Sequence, residues 1–347
     1  METFGVGIVG AGTIGKVHAA VLSRLEGVRL LAVAEPREEV GRQLAEQAGI
    51  DWYPSMEELL ARQDIDLVTL ATPSGMHPDQ AVMAARAGKH VVTEKPMAIT
   101  LEGADRMIRA AREAGVTLSV IFQNRFHRDV LKLKKAIDAG LFGRPVYGNA
   151  FLHWYRSQQY YEESGGWRGT WKYDGGGALM NQSIHYIDLL QWMMGDVESV
   201  EGFTATLAHT IETEDVGSAA VRFRSGALGT IQGTTAAYTS RPPRIEIVGT
   251  EGGATLTGSS ITLWEPREDR ELLTAEDLER TRHPEEGEEW WLTHAVQFRE
   301  IFRCLRAGQT PPVSGEDARK SLEIILAIYQ SQRTGCAVQL PLETGER

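Results

Sequence analysis

The run Gly10-Ala11-Gly12-Thr13-Ile14-Gly15 narrows most sharply what this chain can fold into. It follows a short apolar run at residues 6–9. It opens a stretch in which Ile14, Val17, Val21, Leu22 and Leu25 recur at helical spacing. Strand, glycine turn and helix in that order form a βα unit. The first glycine makes the tight turn, the second lets a pyrophosphate approach the backbone, and the third lets helix and sheet pack closely. The helix start then offers free N–H groups and a partial positive charge to phosphates. Glu35 ends the next apolar run, 20 residues after Gly15, where an acid takes both hydroxyls of an adenosine ribose. A glycine turn that binds nothing needs no such coincidence. Gly10, Ala11, Gly12, Thr13, Ile14 and Glu35 are therefore candidate dinucleotide contacts. Glu35 repels a 2′-phosphate, which favours NAD over NADP, and Arg37 two residues on softens that preference.

The same alternation continues to about residue 123. Apolar strand-like runs at 28–34, 67–71, 91–93 and 116–122 are separated by helical patterns, with Gly49, Gly88 and Gly115 at helix ends. Strands alternating with helices predict a doubly wound parallel sheet over residues 1–123. Residues 124–347 have another texture. Strand-like runs at 146–155, 197–209, 218–224, 227–236, 244–248, 254–257 and 261–265 are joined by turn residues and interrupted by helices at 179–194, 290–305 and 316–333. This predicts an α+β domain with a large, mostly antiparallel open sheet. The fold class is α/β overall. A polar, acidic excursion is expected at 266–288, and the C-terminal helix is a candidate to pack back on the first domain.

Composition excludes several classes. The 347 residues carry 36 Lys+Arg against 47 Asp+Glu, a net charge of −11, so no fold-wide basic footprint for nucleic acid exists. Two cysteines without a CxxC argue against a disulfide framework or a cysteine zinc site and fit a reducing cytoplasm. No apolar run approaches the ~18 residues of a membrane span. No signal-peptide pattern opens the chain.

A second cluster adds chemistry. Ala71-Thr72-Pro73 is followed by His77, Glu94-Lys95-Pro96 ends a strand, and Gly175-Gly176-Gly177 leads to His185 and Asp188. With the glycine loop and His18, these runs resemble the Gfo/Idh/MocA family of sugar and inositol oxidoreductases over nearly the whole length. The resemblance implies a Rossmann domain, a C-terminal sheet that forms homodimers or homotetramers, and nicotinamide bound between the domains. It implies a cis Lys95–Pro96 bond and cofactor contacts from Thr72, Pro73, His77, Glu94, Lys95, Gln123, Trp167 and Arg168, with Glu94 at the nicotinamide ribose. One departure stands out: Asn181 occupies the position where the family pattern has Asp, four residues before His185. The stretch from Trp167 through His185 looks most like sugar-nucleotide 3-dehydrogenases of the UDP-N-acetylglucosaminuronate type.

Oxidising a secondary alcohol removes a hydride and a proton. The proton needs an acceptor near neutrality. A histidine supplies that without tuning, so His185 is assigned as base. Lys95 is its acid/base partner, placing the hydroxyl at a strand end where α/β sheets bind ligands. Asn181 cannot act as a base but can hold a hydroxyl from both sides. Tyr155, Arg156, Lys172 and Arg125 are candidates to meet a polyhydroxylated or anionic carbohydrate, although surface exposure is the default for such residues; the aromatics from Trp154 to Tyr161 are candidates to stack on a sugar face or to pack the sheet. His18, His90, His209, His283 and His294 read as structural or exposed. No metal is expected, because His185 and Asp188 lack a third ligand at suitable spacing. Two other readings compete with an NAD-dependent dehydrogenase. One is transient oxidation with the cofactor retained, leading to glycoside cleavage or epimerisation. The other is a non-enzymatic NAD-binding regulator.

Overall fold

The computed structural model describes residues 3–163, 165–281 and 292–342. It contains two compact units. One comprises Met1–Ala98, Glu102–Gln123 and Arg282–Ala318; the other comprises Ile99–Leu101, Asn124–Thr281 and Arg319–Arg347.

The first unit begins with β1 (Phe4–Val9), α1 (Thr13–Leu22), β2 (Val28–Ala34), α2 (Glu38–Ala48), β3 (Asp51–Tyr53), α3 (Met56–Leu60) and β4 (Leu67–Leu70). Then come α4 (His77–Arg86), β5 (His90–Thr93), α5 (Leu101–Ala114) and β6 (Leu118–Val120). The six strands form one parallel sheet in the order β3-β2-β1-β4-β5-β6. The order reverses between β1 and β4, and ligands of such sheets bind at that switch, outside the carboxyl ends of the strands. All six residues of β1 are buried, as a central parallel strand covered on both faces requires. Local signals set the helix ends: α2 stops at Gly49 in the left-handed region, and the Ser55 hydroxyl accepts the Glu58 N–H at the start of α3.

The second unit contains α6 (Arg128–Asp138), β7 (Pro145–His153), α7 (Gln158–Glu162), a π-helical stretch Ala178–Ser183, and α8 (Ile184–Met194). The strands β8 (Val197–Ala205), β9 (Val216–Phe223), β10 (Leu228–Thr234), β11 (Arg244–Gly249), β12 (Gly252–Thr257) and β13 (Ser260–Glu265) follow, then α9 (Ala275–Arg280). After α10 (Leu292–Arg306), α11 (Gly315–Thr334) leads to β14 (Val338–Gln339). The sheet order is β13-β12-β11-β7-β10-β9-β8-β14. All pairs are antiparallel except β7 with β10. The strict in-and-out burial along β9 shows a sheet with one covered face. Gly217 and Gly233 on that face lie against Leu179 and Ser183 of the π-helical stretch.

Three details add to or depart from the sequence expectation. The first unit's core takes in α10, from the later part of the chain: Ala295, Phe298, Ile301 and Phe302 pack with Phe4, Ile8 and Leu22, and the first residues of α11, Gly315–Ala318, belong to the same unit. An apolar stripe tells that a helix is buried, not which sheet it covers. The excursion at 266–288 contains α9, started by a capping box between Thr274 and Asp277. His283 and Trp290 lie outside the described residues. The helix expected from residue 179 starts as a π-helical turn, a distortion that propensity does not announce and that recurs at functional sites.

Candidate active site

The glycine loop sits at the carboxyl end of β1. Gly10 has φ +98°, and a Cβ there would lie 2.8 Å from the Ala71 carbonyl oxygen. A Cβ on Gly15 would lie 2.0 Å from the Gly10 carbonyl oxygen, so helix and turn touch backbone to backbone. A Cβ on Gly12 would point into open space. That combination, two glycines forced by packing and one facing an open cradle at a helix start, fits a dinucleotide pyrophosphate.

Glu35 follows β2 and is buried. It accepts the Ala11 N–H at 2.9 Å and a two-pronged contact from Arg37 at 2.7 and 3.0 Å. Burial pushes its carboxyl up, but Arg37 and the Ala11 N–H outweigh burial and hold it below the usual range. Arg37 thus orients the acid. Thr13 is exposed at the loop and Ile14 half-buried.

His77 is buried between two loops. Its Nδ1 lies 2.9 Å from the Pro96 carbonyl oxygen and its Nε2 2.9 Å from the Thr72 carbonyl oxygen. Burial lowers its pKa, and a neutral ring donates to only one of the two at a time. The ring ties the Thr72-Pro73 loop to the Glu94-Lys95-Pro96 turn, where the Lys95–Pro96 bond is cis. Lys95 itself is half-buried, as is Gln123.

Glu94 is buried at the end of β5. Its carboxylate turns inward: Oε1 lies 3.1 Å from His18 Nε2 and 3.5 Å from His294 Nε2, and Oε2 accepts the Lys95 N–H at 3.2 Å. His18 Nδ1 meets the Thr69 hydroxyl at 2.9 Å. Burial opposes the Glu94 charge, yet His18 and His294 hold its carboxyl well below the ordinary range. Burial lowers the pKa of His18. The sequence offered no sign of this grouping, because the three residues come from α1, the end of β5 and α10. Their ligand atoms lie within 4.8 Å of one another, a set able to take a divalent cation. The mutual hydrogen bonds and Thr69 account for the arrangement without one. A cavity of about 430 Å³ near His90, Arg112, Thr117 and Gln309 lies at the amino ends of β5 and β6, opposite the glycine loop.

In the second unit, Gly175-Gly176-Gly177 and the π-helical stretch form a fixed frame. A Cβ on Gly175 would lie 2.4 Å from Ile99 Cβ, one on Gly176 2.2 Å from the Tyr329 hydroxyl, and one on Gly177 1.9 Å from the Glu214 carbonyl oxygen. Asn181 donates its amide to the buried Asp174, and its Oδ1 accepts from Gln182 Nε2 at 2.6 Å. Asp174 also accepts the Gly169 N–H at 2.8 Å. The carboxylate absent at position 181 is thus present seven residues earlier, and an acid at 181 would face it. Gln182 Oε1 accepts from Arg156 at 2.9 Å, and its amide donates to the Tyr160 hydroxyl at 3.0 Å. Arg156 and Arg168 both lie over the Tyr160 ring, at 5.2 and 4.3 Å, with Trp154 and Trp167 beside them. The structure therefore joins Arg156, Arg168, Trp167 and Asn181 in one polar-aromatic patch and leaves His185 half-buried on α8, one turn after Asn181. Lys172 and Tyr155 are exposed; Lys172 covers Tyr173, and Tyr155 meets Tyr238.

Asp188, weighed beside His185 as a ligand pair, is instead buried and bound at 2.6 and 2.7 Å by Arg125. The His209 side chain is also enclosed, bridging Asp215 and the Arg156 carbonyl. Asp174, Gln182 and Glu214 were not singled out in the sequence, whereas Tyr160 belongs to the aromatic group at 154–161. Only Asp174, placed directly before three glycines, carried a local signal.

Residues 4–122 match the oxidoreductase family with an NAD-binding Rossmann fold, and residues 130–255 match the GFO/IDH/MocA C-terminal domain. The chain is 28% identical to scyllo-inositol 2-dehydrogenase (NAD(+)) of Bacillus subtilis, covering 97% of this chain and 96% of that protein. It is 30% identical to 1,5-anhydro-D-fructose reductase of Ensifer adhaerens, covering 98% of each. Among solved structures, the WlbA dehydrogenase from Bordetella pertussis, in complex with NADH and UDP-GlcNAcA, aligns with a TM-score of 0.89 and 37% identity. That alignment covers 99% of this chain and all of the other, at 100%. The two matched domains, the glycine cradle and the Glu-Lys-Pro turn lead to one conclusion: the chain belongs to the Gfo/Idh/MocA family of NAD-dependent oxidoreductases.

Proposed function

We propose that this protein oxidises a ring hydroxyl of an anionic sugar nucleotide of the UDP-GlcNAcA type, at C3, with NAD as acceptor. The observation that carries the anionic substrate is the Arg156–Tyr160–Arg168 stack. The Arg156 Nε–H is buried and has no hydrogen-bond partner among the described residues. An acceptor oxygen from a carboxylate or phosphate satisfies such a donor, and Arg is suited to planar oxyanions. Trp154, Tyr160 and Trp167 offer ring faces to a sugar or base. The resemblance in sequence and structure to the dehydrogenase bound to NADH and UDP-GlcNAcA supports the same reading.

In this reading Gly10–Gly15 and the start of α1 hold the pyrophosphate, and Glu35 with Arg37 holds the adenosine ribose. Thr72, Pro73, His77, Gln123, Trp167 and Arg168 complete the cofactor contacts. NAD, when bound, supplies the acceptor for the hydride, two electrons with one hydrogen. The hydroxyl proton passes to His185, with Lys95 holding the oxygen and sharing the proton. The products are a ketone, NADH and one proton, so atoms and electrons balance. Asn181, fixed by Asp174 and Gln182, presents its amide for alignment without adding charge. Tyr155 and Lys172 lie at the exposed margin. Tyr147, Leu228 and Val248, cross-strand neighbours each at least one-third exposed, offer an apolar row for a second copy to cover. Among the described residues no helix is long and apolar enough to cross a membrane.

The test is reduced-nicotinamide absorbance with purified protein, UDP-GlcNAcA, neutral UDP-sugars, inositols and monosaccharides, each with NAD and NADP. A rise with NAD and the acidic UDP-sugar, lost in Lys95→Ala, is expected. A rise only with neutral inositols overturns the sugar-nucleotide reading. Bound cofactor with no net absorbance change on any sugar points to retained-cofactor chemistry.

A further inference from the structure

We propose that Glu214 is a positioning residue of the reaction: as a carboxylate it clamps the start of the helical run that carries Asn181 and His185, and protonation undoes the clamp. The inference rests on the function proposed above. Glu214 lies just before β9 and is buried. Its Oε2 accepts the Gly177 N–H at 2.9 Å. Its Oε1 accepts the Leu179 N–H at 2.8 Å and the Tyr329 hydroxyl at 2.8 Å. Its own carbonyl accepts the Ala178 N–H at 2.9 Å. Three consecutive N–H groups at the head of the run thus end on one residue.

The surroundings are moulded to this contact. Gly177 cannot carry a side chain because of the Glu214 carbonyl, and Gly176 cannot because of the Tyr329 hydroxyl that completes the clamp. The π-helical stretch that follows contains Asn181 and passes directly into α8 with His185. A shift at residues 177–179 therefore reaches both side chains through a rigid element.

An ionised carboxylate only accepts hydrogen bonds, and here all three partners donate. A protonated carboxyl has one hydrogen to place. Of its three partners only the Tyr329 oxygen can take it, after that hydroxyl turns its own hydrogen away. The contact to Leu179 or Gly177 then weakens. The titratable neighbours are Tyr329 on α11 and Asp174 at the head of the glycine run, whose charge acts on Tyr329. Asp215, next in sequence, is occupied by the N–H groups of Leu207, Ala208 and His209 and by the His209 ring. Burial raises the Glu214 carboxyl to about 7 against the pull of its hydrogen bonds. The clamp therefore opens and closes across neutrality, closed on the alkaline side.

The experiment compares the parent full-length protein with Glu214→Gln and Tyr329→Phe. Amide hydrogen exchange of residues 175–183 is read at pH 6 and pH 8, corrected for intrinsic rates. kcat and KM for NAD and UDP-GlcNAcA are read across the same range. In the parent, the segment exchanges faster at pH 6 than at pH 8, and kcat falls on the acid side with KM for NAD unchanged. Glu214→Gln exchanges fast at both pH values and loses kcat on the order of tenfold to a hundredfold. Tyr329→Phe removes a donor to the carboxylate, so the acid limb moves up by about one pH unit. Parent-like kcat and pH profile in Glu214→Gln, or no pH dependence of exchange in the parent, overturns the proposal. If no variant turns over a sugar nucleotide, the proposed function fails, and the exchange data still decide the clamp.

Discussion

Each unit of this protein builds its working end on a glycine run, and the two runs are built differently. Gly10 to Gly15 is local: the atoms that force its glycines belong to the turn itself and to Ala71 at the end of the neighbouring strand. The acid that completes it, Glu35, is one strand away. Gly175 to Gly177 is closed by Ile99, Glu214 and Tyr329, which approach from far along the chain. The first run leaves an open cradle beside Gly12, while the second is filled on every side. One glycine run leaves open space beside it, and the other makes room for the protein's own atoms.

The largest effect expected is on chemistry. Lys95→Ala should lower kcat by about 10³-fold, in the range of a lost acid/base group, while NAD binding measured by fluorescence or calorimetry stays within a few-fold. Loss of NAD binding instead would place Lys95 in the frame of the first unit. Next comes packing. Gly177→Ala puts a Cβ at 1.9 Å from the Glu214 carbonyl oxygen and should cost about 3 kcal/mol, read as a drop in Tm. Gly12→Ala meets nothing in the protein. It should leave Tm nearly unchanged and raise KM for NAD. Equal Tm losses in the two variants would erase the contrast between the runs.

The third effect is on cofactor choice. Glu35→Ala should raise KM for NAD by roughly tenfold to a hundredfold, the worth of hydrogen bonds to a charged group. It should also narrow the NAD over NADP preference, because Arg37 is released. Kinetics with both cofactors check this. The smallest effect is on acid stability. Glu94 has its carboxyl held below the ordinary range, so its stabilisation is present above that range and is lost as pH falls through the depressed value. Tm should decline on the acid side, from about pH 5 downward, and Glu94→Gln should blunt that decline.

The first unit was legible in the sequence because its site is made of signals close together. Strand, glycine turn, helix and acid fall within 35 residues, and the alternation of strands and helices set the sheet type. The second unit was legible in class only. Alternating runs predicted an antiparallel sheet, but no spacing could show that Tyr329 reaches Gly176 or that Glu214 caps residues 177–179. Asn181 stood out as a departure from a pattern. Its physical basis, Asp174 against its amide, required the fold. His18 and His294 looked like ordinary structural histidines because nothing in α1 or α10 marks a shared carboxylate. No spacing in the sequence brings those two imidazoles to the Glu94 carboxylate.

In the proposed reaction the hydride leaves C3 of an acidic UDP-sugar for NAD. UDP-GlcNAcA deuterated at C3, incubated with NAD and the protein, tests it directly by mass spectrometry of the nicotinamide product. The expected result is NADH one mass unit heavy, formed with the parent protein and not with Lys95→Ala. Unlabelled NADH, or deuterium that stays on the sugar with no NADH formed, would contradict it.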